Sequence, residues 1–347
     1  MKNSGKIKVG ISVGDLNGIG IEVILKTFED NRVLDFCTPI IFGSNRIISY
    51  HKKYLNIKTP INGIEQIQKA LNNKLNLVNI WKHNIEIEFG KATETSGKYA
   101  FKSLESATNA LKKGHIDVLV TAPINKHNIQ SDSFNFKGHT EYLEANLSGD
   151  SLMVLLTDKI RLGLITGHIP IKDISNSITP ELIQKKVGIM YQSLIQDFNI
   201  EKPKIAILGL NPHCGDKGVI GIEDDEIIKP TIEKIQSSGK LVYGPFAADS
   251  FFGSKTYKNF DGVLAMYHDQ GLGPFKTMSF GKGVNFTAGL EFIRTSPDHG
   301  TAFEIAGKNI ANQSSFSEAV FTAIDIYNKR EQYKELIENQ LKTNNNR

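Results

Sequence analysis

One pattern recurs along this chain and constrains its fold more than any other feature. A short, continuous apolar run is followed by a turn carrying Gly or Pro, and then by a stretch with helical periodicity. The apolar runs fall at 7–13 (IKVGISV), 39–42 (PIIF), 116–121 (IDVLVT), 152–156 (LMVLL), 161–166 (RLGLIT), 204–210 (KIAILGL) and 262–267 (GVLAMY). Most are continuous rather than alternating, as expected for strands covered on both faces. Between them, Ala100, Leu104, Ala107 and Leu111 recur at spacings that share one helix face within 98–113. Residues 180–197 and 224–237 read as helices too, the first with Pro180 near its start. A last helix is expected to open on Ser315-Phe316-Ser317-Glu318, a capping-box pattern, and to run to about residue 340, leaving Thr343–Arg347 frayed. Strand–helix alternation on this scale implies an α/β fold with a largely parallel sheet. There is no low-complexity linker and no internal repeat, so two lobes are expected to pack tightly and share the sheet.

A chain of 347 residues is long enough to bury a large core. Its formal charge of +4 is spread along the sequence, with no basic stripe of the kind that grips nucleic acid. No apolar run is long enough to span a bilayer, and Met1–Lys8 lacks the apolar segment of a signal peptide. Two cysteines, Cys37 and Cys214, make no disulfide framework and suit a reducing compartment. A cytoplasmic protein, with neither nucleic acid nor membrane as a partner, is expected.

In folds of this class ligands bind at the carboxyl ends of strands. Three of the nine histidines stand there: His168 in ITGHIP, His213 in GLNPHCG and His268 in AMYHDQG. Each follows an apolar run and sits beside Gly or Pro. They are too far apart for a local metal finger, but neighbouring parallel strands can deliver them to one rim. Three imidazoles leave a further coordination position open, as a catalytic ion requires. Imidazole suits zinc, cobalt, nickel or iron, whereas magnesium favours oxygen donors. The competing reading is three ordinary loop histidines. His139, in FKGHTEYL, follows Gly138 at an expected helix start, where an imidazole, the Thr140 hydroxyl and free N–H groups suit an anion. His51, His83, His115 and His127 stand in polar segments and read as surface residues.

The loop Gly14–Gly20 (GDLNGIG) follows the first strand but has neither the G-x-G-x-x-G spacing of a dinucleotide fold nor a P-loop lysine. A Rossmann domain is therefore not supported, and close packing is the stronger reading of these glycines. Beyond His268, Lys276, Asn285 and Arg294 stand nine apart among small and apolar residues. Two cations and an amide there could hold a phosphate and a carboxylate, with Arg294 binding in bidentate fashion. The alternative is solvated loop charge. The Arg294–Ala302 stretch is expected to lead into a helix, with Asp298 and His299 placed to touch a nucleotide.

Seven segments, in order from residue 14 to 302, resemble the 4-hydroxythreonine-4-phosphate dehydrogenase family of pyridoxal phosphate biosynthesis: GDLNGIG, VTAPINK (120–126), GHTEYL (138–143), ITGHIP, GLNPHCGD, MYHDQGLGPFK and RTSPDHGTA. Leu16-Asn17 departs from the Pro-Ala of that family, and Gly218–Glu223 is also less typical. The resemblance implies an isocitrate/isopropylmalate dehydrogenase-like subunit with two lobes, here 1–130 plus 285–342, and 131–284. It implies a homodimer whose sites draw metal-binding histidines from both subunits. By motif position it assigns His168, His213 and His268 to one divalent ion: zinc first, with magnesium or cobalt as alternatives. His139, Thr140, Lys276, Asn285 and Arg294 fall to substrate, and NAD, with NADP as a variant, is the oxidant. The implied reaction oxidises 4-phosphooxy-L-threonine at C3 and then removes its carboxylate, giving 3-amino-2-oxopropyl phosphate. Lys276 and Asp249 are candidates to assist catalysis, Asp249 as a base, an orienter of the metal side or simply a helix cap. A paralogue acting on 4-phosphothreonate and, more distantly, a metal-dependent hydrolase are the alternatives.

Overall fold

The computed structural model of the protein describes residues 5–279 and 281–339. Twelve strands form a single sheet. In chain order they are β1 (Ile7–Ser12), β2 (Cys37–Gly43), β3 (Asn62–Ile64), β4 (Asn76–Asn79), β5 (Val118–Thr121) and β6 (Gly149–Leu156), then β7 (Arg161–Leu164), β8 (Lys204–Leu208), β9 (Leu241–Phe246), β10 (Gly262–Ala265), β11 (Val284–Leu290) and β12 (Ile293–Pro297). Their spatial order is β3-β4-β2-β1-β5-β12-β11-β6-β7-β10-β8-β9. Every ladder is parallel except β6–β7, β6–β11 and β11–β12, which sit together mid-sheet. The helices are α1 (Gly20–Thr27), α2 (Asn45–Tyr54), α3 (Glu94–Lys112), α4 (His139–Asn146), α5 (Ile174–Ser177), α6 (Pro180–Gln196), α7 (Lys229–Ser237), α8 (Ala248–Gly253), α9 (His268–Ser279) and α10 (Ser314–Glu338).

The expected α/β class and its largely parallel sheet are therefore observed, and all seven apolar runs contain strands. β2, β5 and β10 are buried along their whole length, which is why no polar alternation marks them. A Phe or Ile buried there contributes about 1.5–3 kcal/mol. Ala100, Leu104, Ala107 and Leu111 form the buried face of α3, whose first turn is capped by Thr93 accepting from the Ser96 N–H. Thr179 caps α6 in the same way, with Pro180 in its first turn. No helix among the described residues is long and apolar enough to cross a membrane. Both cysteines are free thiols, Cys37 buried and Cys214 partly so.

Several expectations are corrected. The Ser315–Glu318 capping box does not form: α10 starts at Ser314, and the Ser315 hydroxyl instead accepts from the Asp298 N–H and donates to the Gly283 carbonyl. Tying down two incoming strands outcompetes local capping. Past Ala302, itself left-handed at φ 44°, the chain makes a short 3₁₀ turn at Phe303–Ile305 rather than entering a helix. The 224–237 helix begins as a π turn, Asp224–Ile228, before α7. His51 is fully buried, because its spacing from Ile47 and Ile48 places it on the inner face of α2 with its ring edge against Phe89. The frayed end expected at Thr343–Arg347 lies outside the described residues.

Candidate active site

The carboxyl ends of β5, β7, β10 and β12 open on one cavity of about 210 Å³. Its floor is Arg294, on β12 and 2% exposed. The guanidinium donates from Nε and Nη2 to the Thr121 hydroxyl, at 3.1 and 2.6 Å, and from Nη1 to the Thr287 hydroxyl at 3.2 Å. No carboxylate among the described residues lies within ion-pairing distance of it. Burial pushes its pKa down to about 9. A buried cation served only by neutral hydroxyls is poorly compensated, and the cavity it lines gives an anion a way to reach it.

Four buried polar atoms of residues lining the same cavity lack partners: Nε2 of His139, Oε2 of Glu141, Oδ1 of Asn285 and Nε2 of His299. Each such atom costs about 1–3 kcal/mol unless a ligand satisfies it. His139 opens α4 after Gly138, whose φ of 172° is extended backbone. Burial, reinforced by the charges of Arg294 and Lys126, holds its pKa well below the usual imidazole range, so it is neutral at physiological pH. Thr140 also faces the cavity, and so does Lys276 of α9. Lys276 is not free: its ammonium lies 3.1 Å from Oδ2 of Asp298 and also donates to that residue's carbonyl. Asp298 spends its other oxygen on Ser315 at 3.2 Å. Of the two candidates for nucleotide contact, His299 therefore retains the uncommitted side-chain atom.

His168 and His268 meet at the rim with ring centroids 5.5 Å apart. Each imidazole is backed by a carboxylate at Nδ1. Glu141 Oε1 stands 3.4 Å from Nδ1 of His168, and Asp269 Oδ1 stands 2.6 Å from Nδ1 of His268. A carboxylate at Nδ1 selects the tautomer with its proton there and leaves the Nε2 lone pair for a metal. The bond to His168 in turn holds the Glu141 carboxyl below its ordinary pKa. These two donors fit one divalent ion in their chemistry. Glu141 was missed by sequence reading because it arrives on a different element from His168, whereas Asp269 follows His268 directly.

His213 does not join them within the chain. It lies exposed past β8 at the start of six consecutive left-handed residues, His213 (φ 51°), Cys214 (53°), Gly215 (80°), Asp216 (43°), Lys217 (54°) and Gly218 (87°). Each non-glycine residue there costs roughly 1–2 kcal/mol, strain of the kind that surrounding structure must hold at functional positions. The buried Asp224 carboxylate supplies that hold, accepting from the Leu210 and Asn211 N–H groups at 2.8 and 2.9 Å and from the Asn211 amide at 3.0 Å. Asp249, exposed in the first turn of α8, stands near this loop and not on the cavity. Burial pushes the Cys214 thiol up to about 11, with Asp224 and Asp249 adding to it. Among the described residues of one chain, no group of three His, Cys, Asp or Glu side chains forms a metal-holding set. β7, β10 and β8 are indeed neighbours with parallel pairing, so the strand-end placement holds even though the third imidazole faces elsewhere.

The Gly14–Gly20 loop is buried and packed on backbone: a side chain at Gly14 would meet the Pro123 carbonyl at 2.3 Å, and one at Gly18 the Thr301 carbonyl at 2.9 Å. Its Asp15 carboxyl accepts from Asn128, Asn17 and Ser96, while burial raises its pKa. These bonds hold the first loop, the start of α3 and the 125–128 turn together behind the cavity.

The model of the family described as pyridoxal phosphate biosynthetic protein PdxA matches residues 35–323. A 4-hydroxythreonine-4-phosphate dehydrogenase of Bacteroides thetaiotaomicron is 49% identical over 331 residues, 95% of this chain and 91% of that one. A D-threonate 4-phosphate dehydrogenase of Cupriavidus necator is 36% identical, covering 93% and 98%. The crystal structure of a 4-hydroxythreonine-4-phosphate dehydrogenase from Klebsiella pneumoniae superposes with a TM-score of 0.80 at 29% identity, covering 94% and 99%.

Proposed function

Since this chain belongs to the PdxA family of pyridoxal phosphate biosynthetic proteins, and is a dehydrogenase as its named relatives are, we propose that it oxidises 4-phosphooxy-L-threonine at C3 and releases 3-amino-2-oxopropyl phosphate after loss of the carboxylate. The observation that carries this reading is a buried Arg294 without a counter-charge, in the same cavity as two carboxylate-backed imidazoles. One feature answers the phosphate, and the other answers the alcohol that is oxidised.

Arg294 and the Asn285 amide hold the phosphate, with His139 and the Thr140 hydroxyl contributing from the start of α4. Lys276 borders the same space, its ammonium positioned by Asp298. His168 and His268, with His213 of the partner subunit, hold one divalent ion; their imidazoles favour zinc or cobalt over magnesium. Bound there, that ion supplies Lewis acidity toward the alcohol and the later enolate, and NAD, or NADP, supplies the hydride acceptor. Glu141 and Asp269 keep both imidazoles in the ligating tautomer. Asp249, beside the His213 loop, reaches the site with that loop as a base or orienter.

The homodimer is part of the same proposal. His213 is exposed on a strained loop, and the adjoining Val219, Ile220 and Ile222 are 81%, 45% and 53% exposed. Apolar side chains beside a loop built at such conformational cost fit an interface that delivers His213 across the dimer axis. The same reading keeps two lobes, 1–130 plus 285–342 and 131–284; the contiguity of β6–β10 on one side of the sheet supports it.

The deciding experiment mixes variants. His168→Ala and His213→Ala should each abolish metal-supported NADH formation on 4-phosphooxy-L-threonine and lower bound metal. Refolded together, they should recover part of the activity, because a hybrid dimer carries one site with neither lesion. Absence of any recovery, with stable hybrid dimers present, would show that each chain builds its site alone. Running D-threonate 4-phosphate in parallel tests the substrate.

A further inference from the structure

The substrate contacts proposed above leave one charged group on the cavity without a role. Lys126 closes the VTAPINK segment, a few residues beyond β5. Its backbone is pinned. The Asn125 side chain accepts from the His127 and Asn128 N–H groups at 3.0 and 3.1 Å, and the Gln130 amide donates to the Lys126 carbonyl at 3.0 Å. Asn128 is anchored in turn on the buried Asp15 carboxylate at 2.8 Å. A fixed root therefore carries a long, exposed side chain into the cavity, where Nζ stands 3.3 Å from Nε2 of His168. Among the described residues it has no carboxylate within ion-pairing distance, whereas Lys276 has Asp298 and Lys185 has Asp150.

The charges around the cavity sort themselves. Glu141 is engaged by His168, and Asp298 by Lys276. Among the described residues Arg294 and Lys126 are left as two cations without an ion-paired carboxylate, one on the buried floor and one on the metal-ligand side, with Glu141 near both but bonded to His168. The substrate proposed above carries two anionic groups, a phosphate at one end and a carboxylate on the carbon next to the one that is oxidised. With the phosphate on Arg294, the carboxylate falls toward the imidazoles. His168 would hold a divalent ion through the Nε2 lone pair that the ammonium now borders, which would leave Lys126 for that anion.

Resting on the substrate reading given above, we infer that Lys126 is a further substrate-binding residue whose ammonium pairs with the carboxylate of the phosphorylated hydroxy acid. Lys126→Met and Lys126→Arg test this in the zinc-loaded full-length protein. Calorimetry would compare 4-phosphooxy-L-threonine with 3-amino-2-hydroxypropyl phosphate, which keeps the phosphate, amine and hydroxyl but lacks the carboxylate. Lys126→Met should bind the full substrate roughly 10- to 100-fold more weakly, as expected for loss of a charge-assisted pair, and leave the decarboxylated compound within about threefold. Lys126→Arg should restore most of the difference, and bound zinc should be unchanged in both variants. Equal weakening toward both compounds would move Lys126 to the phosphate and overturn the assignment. Unchanged binding, or loss of zinc along with affinity, would overturn it as well, the first as a solvated lysine and the second as an effect through His168. A wild-type protein that binds neither compound would instead refute the substrate reading, a result visible before any variant is made.

Discussion

Two arginines are buried among the described residues, and they are treated in opposite ways. Arg330, on α10 and 7% exposed, presses Nε against the Asp197 carboxylate and donates from Nη1 to the carbonyls of Leu290 and Glu291 at 3.2 and 2.8 Å. Asp197 is itself fully buried and accepts from the Ser193 hydroxyl at 2.7 Å. This seam ties α10 to the end of α6 and to the loop between β11 and β12, with its charge cancelled inside the fold. Arg294, on β12, is just as buried and meets only hydroxyls. Burial of a cation is therefore no mark of function by itself. A buried cation whose counter-charge is missing, and which faces a cavity, is one.

Exchanging the two residues for an apolar one should separate them cleanly. Arg330→Met strands a buried carboxylate and should lower unfolding free energy by about 3–5 kcal/mol, read as a lower urea midpoint. The kcat/KM of the molecules that remain folded should hardly move. Adding Asp197→Leu should recover most of the loss, because the pair is then replaced as a unit. Arg294→Met should do the reverse. Its urea midpoint should hold or rise, while kcat/KM falls by roughly 30- to 1000-fold, about 2–4 kcal/mol of transition-state binding. An Arg294→Met protein that unfolds as easily as Arg330→Met would break the comparison and make Arg294 a structural ion.

This division could be read in the sequence only in part. Continuous apolar runs exposed the central strands, and the strand-end rule placed His168 and His268 at one rim, where they meet. Arg294 was noticed for its spacing from Lys276 and Asn285, but nothing local showed that it lies on a strand. β11 and β12 pair antiparallel to each other and are rich in Gly, Thr and Ser, so they carry no apolar run. The capping box at Ser315 failed for a related reason, since a long-range bond to β12 took the hydroxyl. His51 was misplaced because its polar neighbours hid a helical period of three and four from Ile47 and Ile48. The sharing of charges, Asp197 with Arg330 and Glu141 with His168, joins residues far apart in sequence, and such pairs exist only once the sheet has formed.

The carboxylates sharpen the same contrast. Glu141 is near enough to Arg294 to influence its ionisation, yet its short contact is with His168 rather than with the guanidinium. Glu141→Gln should therefore leave the urea midpoint nearly unchanged and weaken metal binding by about 10- to 100-fold, measured by competition with a chelator. A large stability loss with intact metal affinity would place Glu141 with Asp197 as a charge consumed by the fold.

The smallest effect is also the most direct reading of the missing counter-charge. With no anion bound, burial brings the Arg294 guanidinium down to about 9, far below the value of ~12.5 or more expected in the unfolded chain. A base whose folded pKa is depressed is a charge whose burial costs stability. Below 9 it is protonated in both states, and that cost is present in full. Between 9 and the unfolded value the folded chain releases its proton first, and the cost is relieved by about 1.4 kcal/mol per pH unit. Ligand-free wild-type protein should accordingly gain stability relative to Arg294→Met as the pH is raised from about 8 to about 10. Lysines and tyrosines titrating elsewhere cancel in that difference. Saturating inorganic phosphate should suppress the trend, because an anion on the guanidinium holds the proton in place. A difference between the two proteins that stays flat across that range, with and without phosphate, would mean that Arg294 already has its counter-charge and that the two arginines are alike after all.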